Sequence, residues 1–246
     1  MWIPTWLGDA YSKLFNEFGV ELFTFKEAMS FLGFDENKLA VVFSKLHSRR
    51  ILLIFDVCRP RLYRLLDPEN FVLLASENIR NLDRVGQERY VKLLCDSFRA
   101  LSKTFDLSSF AVYGSVAKGT AKKQSDVDVL LVSNNFSGSL GSRIDKLYKV
   151  EAGLRDELGW LRNQGIYASL SFYPLREEEA KRMPLLFLDL TEEALLLYDK
   201  EHFLEGILTD LKTKLLRLGG RKVTVDKERW YWDLKPGYKF GEEILI

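Results

Sequence analysis

The sequence predicts an α/β protein of the α+β kind, built from more than one folded unit. Its 246 residues exceed the roughly 100 to 200 residues of an ordinary domain. The first quarter has the order helix, helix, helix, hairpin, and the middle alternates buried strands with helical stretches. Hydrophobic residues make up 47% and charged residues 29% of the chain, a composition that excludes disordered and fibrous proteins.

The composition also excludes several functional classes. The 36 Lys and Arg nearly balance the 35 Asp and Glu, so no overall charge indicates a nucleic-acid or membrane partner. Two cysteines, Cys58 and Cys95, and two histidines are too few for a thiolate zinc site, and we expect both thiols to be buried and reduced. Neither a signal peptide nor an apolar run of about 18 residues is found. We therefore expect a soluble, cytoplasmic protein with no membrane partner.

Three short helices are predicted in the first 50 residues. Leu7, Leu14 and nearby aromatic residues mark the first helix. Thr24 and Glu27 form a capping-box pattern that opens the second helix, which stops at Gly33. A third helix, capped by Asp35 or Asn37, has one apolar face made of residues at helical spacing: Leu39, Val42, Phe43 and Leu46.

A basic hairpin follows the third helix. β-Branched and aromatic residues predict strands over 51–57 and 62–66, around a surface turn at 59–61. Between residues 38 and 64 the chain has seven basic residues and one acidic residue. This order of elements resembles a winged helix-turn-helix domain, a likeness of pattern over residues 1–67.

The resemblance implies a DNA-binding surface. A helix in the major groove and a wing on the flanking backbone would place cations of both elements on duplex DNA. Dimerisation through the same domain is the alternative. The residues expected to contact DNA are Lys38, Lys45, Arg59 and Arg61.

Residues 68–104 are predicted to form a helical bridge. Their apolar residues recur at helical spacing, with an interruption near Gly86. We interpret this bridge as scaffold.

The segment that carries chemistry lies at the centre of the chain. A buried strand at 110–113 stops at Gly114 and Ser115, and a second strand begins at the sequence SDVD. Residues two apart in a strand point to one face, so Asp126 and Asp128 can hold one hard divalent cation together. Gly114 allows the backbone to turn closely around a phosphate, and Ser115 offers an N–H and a hydroxyl to anionic oxygens.

The order strand, GSVAKG, SDVD and strand resembles the signature of the DNA polymerase β type nucleotidyltransferase superfamily, above all its minimal members. The resemblance implies a mixed-sheet domain over 105–200, followed by a helix and hairpin extension over 201–246. It implies that Gly114 and Ser115 hold the phosphates of a nucleoside triphosphate. It also implies Mg²⁺ or Mn²⁺ as the cofactor, with Asp126 and Asp128 as ligands and catalytic residues.

Other polar residues of the motif have secondary roles. Lys118 stands where many relatives have arginine, and it can meet a phosphate as a point charge. Ser125, also placed in the nucleotide-binding segment, shapes the turn before the strand. Lys122 and Lys123 are more readily explained as solvated loop charges than as phosphate contacts.

The main departure from the family pattern concerns a third carboxylate. Catalytic members carry one on a neighbouring strand, where it completes the metal site and takes a proton. The strand predicted over 166–173 offers Ser169 and Ser171 instead. Four acids further along are the remaining candidates, although the glutamates favour a solvated helix start: Glu177, Glu178, Glu179 and Asp189.

A hairpin is predicted near the carboxyl end. Val223, Val225, Trp230, Trp232 and Leu234 alternate around a turn at 226–228, with both tryptophans on one face. Packing against the domain is a commoner use of such aromatic residues than stacking on a base.

Three hypotheses remain open. The first is an enzyme that transfers a nucleoside monophosphate from a metal-bound triphosphate to an unknown acceptor. The second is a DNA-binding regulator whose transferase domain binds nucleotide with weak or no activity. The third is an interaction module, such as half of a toxin and antitoxin pair, whose fold serves as a surface for a protein partner or a homodimer. The missing third acid leaves enzymatic activity less secure than nucleotide binding.

Overall fold

The computed structural model describes residues 3–226 and 229–239. Its amino-terminal part contains three helices and a small antiparallel sheet with strand order β1-β3-β2. The elements are α1 Thr5–Phe18, β1 Phe23–Thr24, α2 Phe25–Leu32, α3 Glu36–His47, β2 Leu52–Asp56 and β3 Leu62–Leu65. Across both described ranges, no helix combines the length and the apolar character needed to cross a bilayer.

Local signals set the ends of α2 and α3. Thr24 and Glu27 form the predicted capping box, and Gly33 ends α2 in the left-handed conformation with φ 63°. Asp35, not Asn37, caps α3 by accepting a backbone N–H three residues later at 2.9 Å. The predicted apolar face of α3 is buried in the core of this part.

Strand β1 was absent from the predicted elements. Phe23 pairs with Tyr63, and Thr24 pairs with Leu62, which adds a third strand to the hairpin. Two residues are too few to show the alternation that identifies a strand in a sequence.

Two cations of the basic segment are not free surface charges. Arg64 is buried and donates to both carboxylate oxygens of Glu157 at 2.6 and 2.8 Å. Arg50 forms an ion pair with Glu88. Burying a cation without an opposite charge costs free energy, so Glu157 and Glu88 stabilise the packing of these two arginines. The free positive charge of the hairpin region is therefore smaller than the composition indicates.

The predicted bridge consists of α4 Pro68–Ala75 and α5 Val91–Thr104. Between them the chain is irregular, with 3-10 turns at Leu82–Arg84 and Glu88–Tyr90, so the interruption extends well beyond Gly86. In α5, Cys95 is buried as expected. Cys58 is exposed, and the expectation of a buried thiol is wrong there because the whole hairpin tip, 56–61, faces solvent.

The remaining chain forms a four-stranded mixed sheet with helices and a separate two-stranded hairpin. In the order β6-β5-β4-β7, β5 and β6 are parallel and the other pairs antiparallel, which confirms the predicted mixed sheet. The elements are β4 Leu107–Tyr113, α6 Gly114–Ala117, β5 Val127–Ser133, α7 Leu140–Glu151, a 3-10 turn Ala152–Leu154, α8 Arg155–Asn163, β6 Leu170–Leu175, α9 Glu177–Ala180, α10 Leu186–Glu193, β7 Leu195–Asp199, a 3-10 turn Lys200–His202, α11 Phe203–Leu218, β8 Arg221–Thr224 and β9 Trp230–Asp233.

The two faces of the sheet bury alternate residues of each strand. On β5, Val127, Val129 and Leu131 belong to the core that includes α5. Leu130 and Val132 belong to the core formed with α10 and α11. Since Asp128 lies on the same side of the strand as Leu130, the face covered by α10 and α11 is the one that carries Asp128.

Strand β6 is shifted along the chain from its predicted position. It begins at Leu170, not Ile166, and continues through Pro174. Proline is tolerated there because β6 is an edge strand and needs no N–H on its outer side.

Residues 87–90 contact both parts of the protein. Glu88 lies 2.8 Å from His47 at the end of α3 and accepts the backbone N–H of Ile54 at 2.6 Å. Gln87 exchanges two hydrogen bonds of 2.9 Å with the backbone of Ala121. The amino-terminal part is thus joined to the loop between the GS and SDVD segments.

Candidate active site

At the end of β4, a glycine backbone lies beside a carboxylate without room for a side chain between them. Gly114 directly follows β4 and has φ 68°, a left-handed conformation that favours glycine. A Cβ atom at this position would lie 2.3 Å from Oδ2 of Asp128. Only a residue without a side chain fits here, so the turn brings bare backbone against the Asp128 carboxylate.

The two aspartates lie at the start of β5. Asp128 is in register with Tyr113 of β4 and Ser171 of β6. Burial raises the pKa of Asp128 and the charge of Asp126 raises it further, while a hydrogen bond with Ser171 acts in the opposite direction. The hydroxyl of Ser169 donates to Oδ1 of Asp126. The pair therefore combines mutual repulsion with two neighbouring hydroxyl groups.

The donor set fits one hard divalent cation. Asp126 and Asp128 offer carboxylate oxygens on one face, and Ser169 and Ser171 add hydroxyls, all of the oxygen type that Mg²⁺ and Mn²⁺ prefer. Within residues 3–226 and 229–239, no group of three or more His, Cys, Asp or Glu is placed to hold a metal ion.

The three glutamates that follow β6 lie near the ends of β4 and β5 that are opposite to the aspartates. Glu177 accepts hydrogen bonds from Ser108, near the start of β4, and from Asn134, just after β5. The aspartates lie at the other ends of these two strands. Because α9 follows the far end of β6, Glu178 and Glu179 are held there too, and none of the three occupies the position of the missing acid.

Asp189 has a different set of partners. Its carboxylate pairs with Lys222 at 2.9 Å and accepts the indole N–H groups of Trp230 and Trp232 at 3.2 and 3.1 Å. Burial raises its pKa, but Lys222 and the two indoles outweigh that effect and leave the pKa below its ordinary value. The Asp189 carboxylate therefore binds side chains of the carboxyl-terminal hairpin and does not supply the missing acid. Both tryptophans lie on one face of the hairpin, as predicted.

The motif residues outside the glycine turn have structural partners. Lys118 forms an ion pair with Glu193 at 2.8 Å. The Ser125 hydroxyl accepts the backbone N–H of Lys122 at 2.8 Å, which closes the turn before β5. Lys122 and Lys123 are exposed, as expected of loop charges.

Glu193 is a site residue that the sequence does not indicate. It ends α10, two positions before the start of β7, and β7 begins beside the end of β4, where Leu195 pairs with Val112. The ion pair with Lys118 joins positions 75 residues apart in sequence, a contact for which no local pattern exists. The sheet order alone brings it to the glycine turn.

The predicted DNA contacts are solvent-accessible. Lys38 and Lys45 are exposed on α3, and Arg59 and Arg61 are exposed at the hairpin tip. The ammonium of Lys38 also lies 3.9 Å from the centre of the Phe34 ring.

Comparison with known proteins places the central segment in a family. Residues 91–186 match the family described as nucleotidyltransferase domain. Over 125 residues the chain is 30% identical to a Methanocaldococcus jannaschii protein named "Putative protein adenylyltransferase MJ1305", covering 50% of this chain and 79% of that protein. A solved structure described as "Crystal structure of the toxin-antitoxin with AMP-PNP" has a TM-score of 0.34 and 11% identity, covering 51% of this chain and 92% of that one. At that TM-score the likeness carries no functional argument.

The matched segment contains the glycine turn, both aspartates and the two serines, whereas Glu193 and the hairpin lie beyond it. Together with the identity to the adenylyltransferase relative, these residues show that the chain belongs to the nucleotidyltransferase family.

Proposed function

We propose that the protein binds a nucleoside triphosphate together with Mg²⁺ or Mn²⁺ and transfers the nucleoside monophosphate to an acceptor. The contact between Gly114 and Asp128 carries this proposal. A close glycine turn suits phosphate oxygens, and Asp126 with Asp128 suits the cation that accompanies them. The bound ion would supply electrostatic stabilisation of the phosphates during transfer.

Three further residues serve this site in the proposal. Ser115 directs its N–H and hydroxyl toward the phosphates. Lys118 exchanges its ion pair with Glu193 for a phosphate oxygen, as a point charge and without the fork of an arginine. Ser125 acts indirectly, since it holds the turn from which Asp126 begins.

The relative supports a more specific acceptor and nucleotide. Its name, a protein adenylyltransferase, suggests AMP as the transferred group and a protein hydroxyl as the acceptor. In such a transfer the acceptor oxygen bonds to the α-phosphorus while the bond to pyrophosphate breaks. The acceptor must also lose a proton, and serines occupy the strand position from which a third acid would take it. We therefore expect slow turnover, or turnover that depends on the acceptor.

Calorimetry tests the binding site. We expect tight triphosphate binding in Mg²⁺ and weak binding in EDTA, because the two carboxylates and the phosphates repel without the cation. Asp126→Asn keeps the size of the side chain and should abolish the difference between the buffers. Asp145→Asn, on the exposed side of α7, is the matched control and should bind as the wild type does. Equal binding in both buffers would rule out the site.

Transfer is tested separately. The protein is incubated with each labelled triphosphate, Mg²⁺ and a cell extract, and labelled macromolecules are detected. We expect label on protein from ATP, absent with Asp126→Asn. If transfer is rapid, the proposal of slow turnover is wrong and another residue supplies the base.

A second candidate function rests on the amino-terminal part. We propose that residues 1–67 form a winged-helix domain that contacts duplex DNA, with 68–104 as a bridge, 105–200 as the transferase domain and 201–246 as an extension. The exposed cations on α3 and on the hairpin tip support this proposal. The protein would then be a regulator whose transferase domain binds nucleotide.

A gel-shift experiment with the full chain tests this candidate. Affinity for duplex DNA should fall steeply with salt, because phosphate contacts release counterions. Replacing Arg59 and Arg61 by Ala should reduce the salt slope by about two units if each meets a phosphate. Lys212→Ala, an exposed cation on α11, is the control. Without duplex binding at low salt, the regulator proposal falls, and sedimentation would then show whether the same surface joins two copies.

A further inference from the structure

The carboxyl-terminal hairpin is tied to the glycine turn by a chain of alternating charges. Lys222 of β8 lies 2.8 Å from Oε1 of Glu193 and 2.9 Å from Oδ1 of Asp189. The other oxygen of Glu193, Oε2, lies 2.8 Å from Lys118. Because Lys118 follows Gly114 by four residues, the hairpin is held next to the turn that we propose binds phosphate.

The two tryptophans of β9 share a hydrogen-bond partner but differ in how far they are exposed to solvent. Both donate their indole N–H to Oδ1 of Asp189. Trp232 is half-buried and packs against the core shared with α10 and α11. Trp230 leaves 45% of its surface open to solvent although its orientation is fixed. One indole therefore anchors the hairpin and the other presents an accessible, preoriented ring.

The open ring lies close to the cations of the site. The ammonium of Lys222 is 4.7 Å and that of Lys118 is 5.4 Å from the centre of the Trp230 ring. These distances are in the range of cation–π contacts. Trp232, on the same strand, packs against the core on the sheet face that carries Asp128, so the hairpin lies on the side where the proposed nucleotide would lie.

We propose that Trp230 is the base-binding wall of the nucleotide site, on which the nucleobase stacks when the phosphates lie at Gly114. This inference rests on the proposed function and adds a subsite to it. The hairpin lies outside the matched segment 91–186, so this wall belongs to this chain and is not supplied by the family match. Every base has a π-face, and stacking on an indole discriminates little between bases. We therefore expect Trp230 to add affinity for ATP without by itself selecting adenine over other bases.

The test separates the base from the phosphates. Calorimetry of the full chain in Mg²⁺ compares ATP with inorganic tripolyphosphate, which has no base. Trp230→Ala should weaken ATP binding by about tenfold or more and leave tripolyphosphate binding unchanged. Trp230→Phe keeps an aromatic face and should retain most of the affinity for ATP. Trp6→Ala, with a similar exposure of 47% in α1, is the matched control and should change neither ligand.

Each outcome decides between the proposals. If Trp230→Ala binds ATP as the wild type does, or loses ATP and tripolyphosphate equally, the base-wall assignment is overturned while the phosphate site stands. If the wild type binds neither ligand in Mg²⁺, the proposed function is overturned and the base wall with it. Should the alanine variant fail to fold, Trp230→Leu keeps apolar bulk without a π-face. The base-wall assignment then predicts that Trp230→Leu binds ATP more weakly than Trp230→Phe does, and equal affinities would overturn it.

Discussion

At the scale of single residues, the site is governed by how closely the backbone at Gly114 approaches Asp128. The distance of 2.3 Å from a Cβ atom to the carboxylate oxygen is shorter than any real Cβ contact. An added methyl group must push the carboxylate away from its place, and the left-handed φ of 68° strains any other residue. The absence of a side chain at Gly114 therefore allows both the tight turn and the observed position of the Asp128 carboxylate.

Gly114→Ala should remove binding of Mg²⁺ and triphosphate and lower the free energy of unfolding by about 1 kcal/mol or more. Calorimetry and urea unfolding measure the two effects. Gly206→Ala is the control, because nothing lies within 4 Å of its Cβ position in α11 and alanine favours the helix. Undiminished binding by the Gly114 variant would show that the Asp128 carboxylate can move freely.

Candidate site residues that lie close together in the sequence can be predicted from it. Gly114, Asp126 and Asp128 fall within 15 positions, and their order with the strands predicts the site. The family resemblance also points to Ser169 and Ser171, as the residues that stand where a third acid is expected. Glu193 and Lys222 escape prediction, since a helix end and a distant hairpin reach Lys118 only through the folded sheet.

At the scale of elements, single side chains fix where helices begin. Asp35 is exposed, yet its carboxylate satisfies a backbone N–H that would otherwise lack a partner at the start of α3. Capping residues of this kind are visible in the sequence. The two-residue strand β1 and the true start of β6 are not, because both depend on pairing with a distant strand.

Asp35→Ala should lower the free energy of unfolding by about 1 kcal/mol, measured by urea denaturation. Asp35→Asn keeps a side-chain oxygen that can cap the helix and should cost much less. If the two variants unfold alike, the capping bond does not stabilise α3.

The helices α7 and α9 are joined by Arg143 and Glu179, whose side chains form two hydrogen bonds of 2.5 and 2.9 Å. These bonds, more than any other contact, lower the pKa of Glu179 to about 2 from its ordinary 4.5. A folded-state pKa below the unfolded value means that the carboxylate stabilises the fold above pH 4.5. This stabilisation is lost as the pH falls from 4.5 toward 2.

Glu179→Gln should therefore melt below the wild type by a constant margin from pH 6 to 8, with a margin that shrinks below about pH 4.5. Thermal melting across this range measures it. Glu178→Gln, at the exposed neighbouring position, should show no such pH-dependent margin. A margin independent of pH would contradict the charge-based explanation.

At the scale of the whole molecule, buried ions join the amino-terminal part to the mixed-sheet part. Arg64 of β3 and Glu157 of α8 are almost fully buried, and the Arg64 guanidinium lies 3.4 Å from the centre of the Trp160 ring. Lys92 contacts Glu157 at 3.2 Å. Burial lowers the pKa of Lys92, but Glu157 and the nearby Asp96 outweigh that effect and keep the pKa above its ordinary value. Lys92 therefore keeps its positive charge inside the interface because acids surround it.

Glu157→Ala should lower the free energy of unfolding by about 3–5 kcal/mol, because it leaves Arg64 buried without its partner. The double variant Arg64→Met with Glu157→Leu should recover much of that loss. Glu205→Ala, which breaks an exposed pair with His202, should cost less than about 1 kcal/mol. Urea denaturation gives all three values, and a loss below 1 kcal/mol for Glu157→Ala would show that the interface relaxes around the arginine.

The contacts of residues 87–90 determine where the transferase-like part could be cut from the rest of the chain without losing its loop contacts. The family match begins at residue 91, directly after the residues that support the loop between the GS and SDVD segments. A chain cut at that boundary would lose both Gln87 hydrogen bonds to Ala121 and the Tyr90 hydroxyl that donates to the carbonyl of Lys122. The portable unit, in engineering or in gene fusion, therefore starts before the family boundary. Any foreign domain placed at its amino end would have to preserve Gln87 and Tyr90 to keep the loop between the GS and SDVD segments in shape.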